Sequence, residues 1–293
     1  MELRSIELDL PDPDGAARFL TGTWGLGDAG GDTDSSYLRG SGDQPYLVGL
    51  HRADHPLVRS VTFLANAEEI EAVRLRAAQR DVAVAEVSSA DPGAGAGITL
   101  SLPDGAVIRL LAGAGRVAPV AGFPDRAVRL THVVLNAVDA EATARFAEDM
   151  LGFRVSDRTK GMVFVRCNSS HHSIAFARAG FASLNHIAFE MADMDAVMRG
   201  IGRLRDVGMV PAWGPGRHGP GANVFAYFIA PFGAVVEFST AVEVVGEDYR
   251  TGTPEDWSWP PNRIDQWGIS GKDMAALGEA ERVFRFRRRP NNE

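Results

Sequence analysis

Three short apolar stretches each carry one side chain able to bind a metal. They are Leu130-Thr-His-Val-Val-Leu-Asn136 with His132, Leu184-Asn-His-Ile-Ala-Phe-Glu190 with His186, and Pro231-Phe-Gly-Ala-Val-Val-Glu-Phe238 with Glu237. Two imidazoles and one carboxylate projecting from strands form a donor set for a divalent metal that keeps open positions for other ligands. A lone histidine in an apolar strand is commonly a hydrogen-bonded core residue. Three donors at matched places in repeated units do not fit that explanation.

Positioning such donors requires regular elements, and the chain supplies them in a repeating order. Residues 3–10 alternate as a strand, 15–20 read as a short helix, and 36–39 and 46–50 as strands. Residues 58–64 form the next strand, 67–79 a helix of good helix formers, and 82–87, 97–102 and 105–111 three more strands. Residues 112–125, rich in Gly and Pro, read as a linker. The pattern then restarts. Residues 130–136 form a strand, 140–151 a helix stopped by Gly152, and 162–166 and 172–177 strands. Residues 184–190 form a strand, 194–206 a helix, and 210–213, 224–229 and 234–239 strands. Strand, helix, three strands thus recurs through both halves, and internal repetition says more than any single motif.

Laid side by side, the halves align Arg4-Ser5-Ile6 with Thr131-His132-Val133, and Arg59-Ser60-Val61 with Asn185-His186-Ile187. They also align the Pro103–Arg109 segment with Pro231–Glu237. Ser5, Ser60 and Arg109 therefore occupy the three donor positions of the first half. A guanidinium has no lone pair to coordinate with, so one metal per chain is expected, in the second half.

The rest of the chain sets bounds. At 293 residues it is long enough for two domains. A formal net charge of -8 argues against general nucleic-acid binding. The lone Cys167 leaves no internal disulfide and fits a reducing compartment. The N-terminus lacks the basic and apolar regions of a secretion signal, and no apolar run approaches a membrane span, so a cytoplasmic protein without a membrane partner is expected. Asp12, Asp14, Asp193 and Asp195 follow strands and read as turn or helix-cap residues. Residues 249–267 hold Trp257, Trp259 and Trp267 in a Pro-rich, non-repetitive extension expected to border the pocket mouth or a subunit contact. Residues 272–284 read as a short helix and 285–289 as a solvated basic tail.

With these segments in place, the sequence resembles the vicinal oxygen chelate (glyoxalase/bleomycin resistance/dioxygenase) superfamily. Within it, residues 1–240 are similar to the two-domain type I extradiol ring-cleavage dioxygenases. The resemblance implies an α+β fold of four βαβββ modules paired into two domains, each a mixed, incompletely closed β-barrel with outer helices. It divides the chain into a metal-free domain (1–120), a metal-binding catalytic domain (128–240) and a C-terminal extension (241–293). Its iron ligands fall on His132, His186 and Glu237. The segment Cys167-Asn-Ser-Ser-His-His-Ser-Ile-Ala-Phe176 makes His172 the catalytic base. Gly216-Arg-His-Gly219 makes His218 a pocket histidine, and Tyr227 and the Pro231-Phe-Gly233 turn match as well. Some biphenyl-type members carry an Asn soon after the Gly-Arg-His. Gly219-Pro220 stands there in this chain, and Asn223 is the candidate to replace that substrate contact. The chain also continues for some fifty residues after the ligand Glu, where the family often ends.

The chemistry implied is insertion of O2 into a catecholic ring beside the two hydroxyls. Glu237 offsets one of the metal's two charges, which suits Fe(II); Mn(II) accepts the same donors. His172 would take and return a proton, with an ordinary imidazole pKa of about 6.5 fitting both acts. His218 and Tyr227 would orient the diol and stabilise the developing oxyanion. His171 would point to the opposite strand face from His172 if that strand is regular. The partners expected are a small aromatic diol, O2 and further copies of the chain. Two alternatives differ in what they require. A glyoxalase-type isomerase or lyase needs a fourth protein ligand, and no second carboxylate stands at a repeat position. A protein that only sequesters an aromatic compound has no use for His172, His218 and Tyr227 together.

Overall fold

The computed structural model of the chain describes residues 1–122 and 124–287. It is a mixed α+β structure of four modules, each a strand, a helix and three strands. The first comprises β1 (Glu2–Leu10), α1 (Pro13–Phe19), β2 (Gly27–Gly31), β3 (Ser35–Arg39) and β4 (Val48–Arg52). The second comprises β5 (Leu57–Leu64), α2 (Ala67–Gln79), β6 (Ala85–Ser88), β7 (Ala96–Ser101) and β8 (Val107–Ala112). The third has β9 (Arg129–Ala137), α3 (Ala140–Phe146), β10 (Arg154–Arg158), β11 (Met162–Arg166) and β12 (Ile174–Arg178). The fourth has β13 (Ser183–Glu190), α4 (Met194–Asp206), β14 (Trp213–Arg217), β15 (Val224–Ile229) and β16 (Val235–Thr240). A short helix α5 (Met274–Ala280) and strand β17 (Arg285–Phe286) follow.

Pairing repeats as faithfully as element order. In each module the first strand pairs parallel with the last: β1 with β4, β5 with β8, β9 with β12 and β13 with β16. The two first strands of a half pair antiparallel, β1 with β5 and β9 with β13. Each half is thus a curved sheet of eight strands, open at one side. β17 bridges them by pairing with both β5 and β13.

Local chemistry accounts for the helices. Asn66 and Glu69 form a reciprocal capping box at the start of α2. Asp12, Asp139 and Asp193 each accept a backbone N–H at a helix start. α3 runs on into a π-helical turn at Ala147–Leu151 and stops at Gly152, whose φ of +73° is the left-handed conformation glycine tolerates. α4 buries Val197, Gly200, Ile201 and Leu204 on one face. Gly200 carries no side chain because the Phe238 ring occupies that space; a Cβ there would lie 2.7 Å from it. Phe238 stacks at 3.7 Å on Trp24, so the strand bearing Glu237 is backed by the first half.

Three strands escape the sequence reading. β2 is Gly-rich and lies at a sheet edge, paired with β3 alone. β10 begins immediately after the Gly152 stop. β14, Trp-Gly-Pro-Gly-Arg, replaces the strand expected at 210–213; its proline is tolerated because the strand is an edge, paired with β15 across a register shift. The expected strand at 172–177 begins instead at Ile174, leaving His171 and His172 in the bend before it. The basic tail expected at 285–289 is corrected at its start. Arg285 and Phe286 form β17, Arg285 lies over the Phe181 ring, and Arg287 pairs with Asp9 at 2.8 Å. Residues 288–293 lie outside the described residues.

Candidate functional site

β13 lies between β9 and β16, and its register builds the donor set. Ala188 pairs with His132 on one side and with Glu237 on the other. His186, two residues before Ala188, shares its face of the strand, so all three donors point into the same concavity. The same register holds in the first half, where Thr62 pairs with Ser5 and with Arg109.

His132, His186 and Glu237 are all buried, and their ligand atoms lie within 4.8 Å of one another. Glu237 Oε2 is 3.2 Å from His132 Nε2 and 3.1 Å from His186 Nε2, and the two Nε2 atoms are 3.3 Å apart. His186 Nδ1 faces Asn185 Oδ1 at 2.7 Å. An amide oxygen can only accept, so Nδ1 bears the proton and Nε2 presents a lone pair. That lone pair and the buried Glu237 Oε2, which makes no hydrogen bond of its own, then face each other. Two converging acceptors are repulsive until a cation sits between them, so these residues fit a divalent metal. Burial lowers the His186 imidazole, in keeping with a neutral ring. Among the described residues, no other group of His, Cys, Asp or Glu converges in this way.

Around this centre the structure gathers the remaining residues. The His172 ring lies 4.3 Å from that of His132, and burial holds its pKa well below the ordinary value. His218 follows β14 and stacks at 4.0 Å on Phe225, with Nε2 2.8 Å from the Tyr227 hydroxyl. Burial lowers His218 to about 3 and raises Tyr227 well above its ordinary value, so the pair is a neutral imidazole beside an intact phenol. Tyr227 pairs with Glu237 across β15 and β16, and its ring meets His186 edge-on at 4.9 Å. Asn223 lines the cavity as well, and its amide donates to Glu237 Oε1 at 3.2 Å and to Ser239 Oγ at 2.8 Å, so it also holds the carboxylate.

These residues open onto a cavity of about 1400 Å³. The C-terminal extension contributes Trp257, Trp259, Lys272 and Leu277 to its wall, as expected of a segment bordering the pocket. Trp267 instead lies under the Arg217 guanidinium. Sequence reasoning missed Lys272, whose ammonium sits 4.0 Å above the Trp213 ring and whose pKa burial lowers. His171 stays out of the cavity, as expected, but it packs behind His172: its Nδ1 is 3.0 Å from His172 Nδ1 and its Nε2 is 2.8 Å from Asp157 Oδ2. The alternation argument fails because neither histidine is in a strand. Nothing local in the sequence links Asp157 to His171.

Comparison with known proteins agrees with this geometry. Residues 129–238 match the profile of the Glyoxalase/Bleomycin resistance protein/Dioxygenase superfamily. The chain is 30% identical over 149 residues to metapyrocatechase 2 of Cupriavidus necator, a match spanning 48% of this chain and 44% of that relative. It is 29% identical over 265 residues to an iron-dependent extradiol dioxygenase of Rhodococcus jostii (strain RHA1), covering 76% of this chain and 88% of the relative. Among solved structures, a Mn(II)-bound glyoxalase from Novosphingobium aromaticivorans superposes with a TM-score of 0.86 at 32% identity, covering 94% of this chain and 93% of that one. No helix among the described residues is long and apolar enough to cross a membrane. With the donor set, the repeated modules and a relative matched along almost its whole length, the chain belongs to the Glyoxalase/Bleomycin resistance protein/Dioxygenase superfamily.

Proposed function

We propose that the chain is an extradiol dioxygenase, inserting both atoms of O2 into a catecholic ring beside its vicinal hydroxyls. The observation that carries this reading is the convergence of His172 and the His218–Tyr227 pair on the open side of a three-donor metal centre. Fe(II) held by His132, His186 and Glu237 would chelate the diol and supply the electron density that activates O2. The protein's part is acid–base and positional. His172, neutral in its buried setting, removes a hydroxyl proton from the diol and later returns it. Tyr227, kept protonated, offers its hydrogen bond to the oxygen that gains charge, with His218 Nε2–H donating to the phenol oxygen and orienting it. The aromatic walls from Trp213 and Trp257 exclude water and hold the ring flat.

On this reading residues 1–120 serve as a metal-free partner domain, 128–240 hold the chemistry, and the extension from 241 closes the cavity through residues 254–282. The reading also takes the enzyme as a cytoplasmic homo-oligomer. A glyoxalase-type reaction is the second reading, favoured by the name of the Novosphingobium aromaticivorans relative. It calls for a fourth protein ligand, and the donor group among the described residues has three. The test is anaerobic loading with Fe(II) or Mn(II), then oxygen uptake with a panel of catechols, alongside a glyoxalase assay with a thiol hemithioacetal. Stoichiometric O2 consumption with a ring-opened product is expected. Isomerase turnover without oxygen uptake would refute the proposal.

A further inference from the structure

Outside the residues given roles above, Asp157 and His171 form a polar pair beside the cavity, both without measurable exposure. We propose that they act as positioning residues for the dioxygenase reading above: Asp157 fixes the tautomer of His171, and His171 in turn fixes that of His172, leaving the His172 Nε2 lone pair toward the reacting diol.

As a carboxylate, Asp157 can only accept. Its Oδ1 takes the Gly252 N–H at 2.8 Å, and its Oδ2 lies 2.8 Å from His171 Nε2. His171 Nε2 must therefore carry the proton, and in the neutral ring its Nδ1 is then an acceptor. That Nδ1 lies 3.0 Å from His172 Nδ1. A hydrogen bond there requires His172 to supply the proton from Nδ1, which leaves its Nε2 bare. Among the described residues His172 has no other hydrogen-bond partner, so this contact alone sets its tautomer.

The surroundings hold the chain of contacts in place. His171 N–H donates to Glu243 O at 2.8 Å, and Glu243 N–H donates to Gly221 O at 2.9 Å. Gly221 has φ +73°, and a Cβ there would lie 3.0 Å from His171 Nδ1 and 3.1 Å from His172 Nδ1. The backbone thus packs directly onto the hydrogen bond. The Tyr249 ring meets His171 edge-on at 5.7 Å. Gly252 and Tyr249 both belong to the extension after β16, so that segment reaches the proposed base through Asp157 as well as walling the cavity.

Asp157→Asn tests this with little change of shape. Gly252 N–H already donates to Oδ1, so the amide oxygen takes that place and the NH2 group faces His171 Nε2. His171 must then accept at Nε2 and carry its proton on Nδ1, and His172 is driven to the Nε2–H form. The metal-free full chain, labelled with 15N-histidine, is examined by two-bond 1H–15N correlation, with His172 assigned by its loss in His172→Gln. The expected result is His172 protonated at Nδ1 in the parent and at Nε2 in Asp157→Asn. A parent His172 protonated at Nε2, or a tautomer unmoved by Asp157→Asn, would overturn the proposal whether or not the chain turns over catechols. In the Fe(II)-loaded enzyme, Asp157→Asn is expected to lower kcat by at least about tenfold, toward the 10²- to 10⁴-fold contribution of a positioned base, with KM little changed. His171→Asn, which keeps an acceptor near the Nδ1 position, should recover most of the kcat lost in His171→Phe. Equal losses in those two variants would reduce His171 to a packing role and refute the inference.

Discussion

Asn223→Leu is expected to weaken metal binding about tenfold while leaving the fold in place. Asn223 is fully buried, and its amide is the donor that holds Glu237 Oε1. With Oε1 held, Oε2 is turned toward the two imidazoles at 3.1 and 3.2 Å. Leucine has a similar volume and fills the space but offers no donor, so the carboxylate loses the contact that orients it. A hydrogen bond to a charged group contributes about 1.5–3 kcal/mol. At about 1.4 kcal/mol per decade, complete loss would cost roughly 10- to 150-fold in affinity. Outer contacts of metal ligands cost about 10- to 100-fold when removed. The 3.2 Å length is at the long end for an N–H···O bond, which places the expectation near the lower bound. The assay is competition for Mn(II) against a chelating dye, with urea denaturation of the metal-free protein as the control. An affinity equal to the parent's in a folded variant would refute the argument, because Glu237 would then be oriented without Asn223.

Two further predictions concern histidines. His172→Ala should retain one metal per chain and bind the diol, but lose about 10²- to 10⁴-fold in kcat, measured at saturating catechol with metal occupancy determined; loss of the metal instead would make His172 a ligand. Stability of the metal-free protein should fall as pH drops from 7.5 toward 5. Burial depresses the His172 imidazole and brings His218 to about 3, whereas the unfolded chain takes up protons near 6.5. The unfolded state therefore binds more protons through this window, giving a slope approaching about 1.4 kcal/mol per pH unit for each histidine kept neutral. Denaturation midpoints that stay flat or rise on acidification would contradict this sign.

The metal donors could be read in the sequence because they sit on strands whose pattern is repeated, and repetition turns spacing into position. Residues 67–79 were legible as a helix for a similar reason: the capping pair and the helix formers are local. What escaped was set by distant neighbours. β2 and β14 are edge strands built of Gly and Pro, stabilised by a partner strand and not by their own side chains. The contact of His171 with His172 was not legible because alternation presumes a strand, and the chain bends there to seat His171 between Asp157 and His172. The contact of Asn223 with Glu237 was not legible either, because fold-back of β15 onto β16 is what brings its amide to the carboxylate.

The two halves also explain each other through charge. In the second half, a buried carboxylate and two imidazoles surround a place where positive charge is needed. In the first half, Arg109 occupies the position of Glu237 and carries that charge covalently. Its guanidinium lies 2.6 Å from Asp91 and 3.4 Å from Glu7. Glu7 is further engaged by Tyr46 and His51, and Arg4 is buried against Tyr46. Asp91 is held well below the ordinary carboxylate range, burial being outweighed by Ser89 and Arg109. A buried ion pair of this kind is costly to break by removing one partner, because the other charge is left buried and alone. The first half thus balances the charge in its concavity with its own side chains, whereas on the proposed reading the second half takes a metal and a ligand there. That difference, made at Ser5, Ser60 and Arg109, would confine the proposed chemistry to one half of a repeated fold.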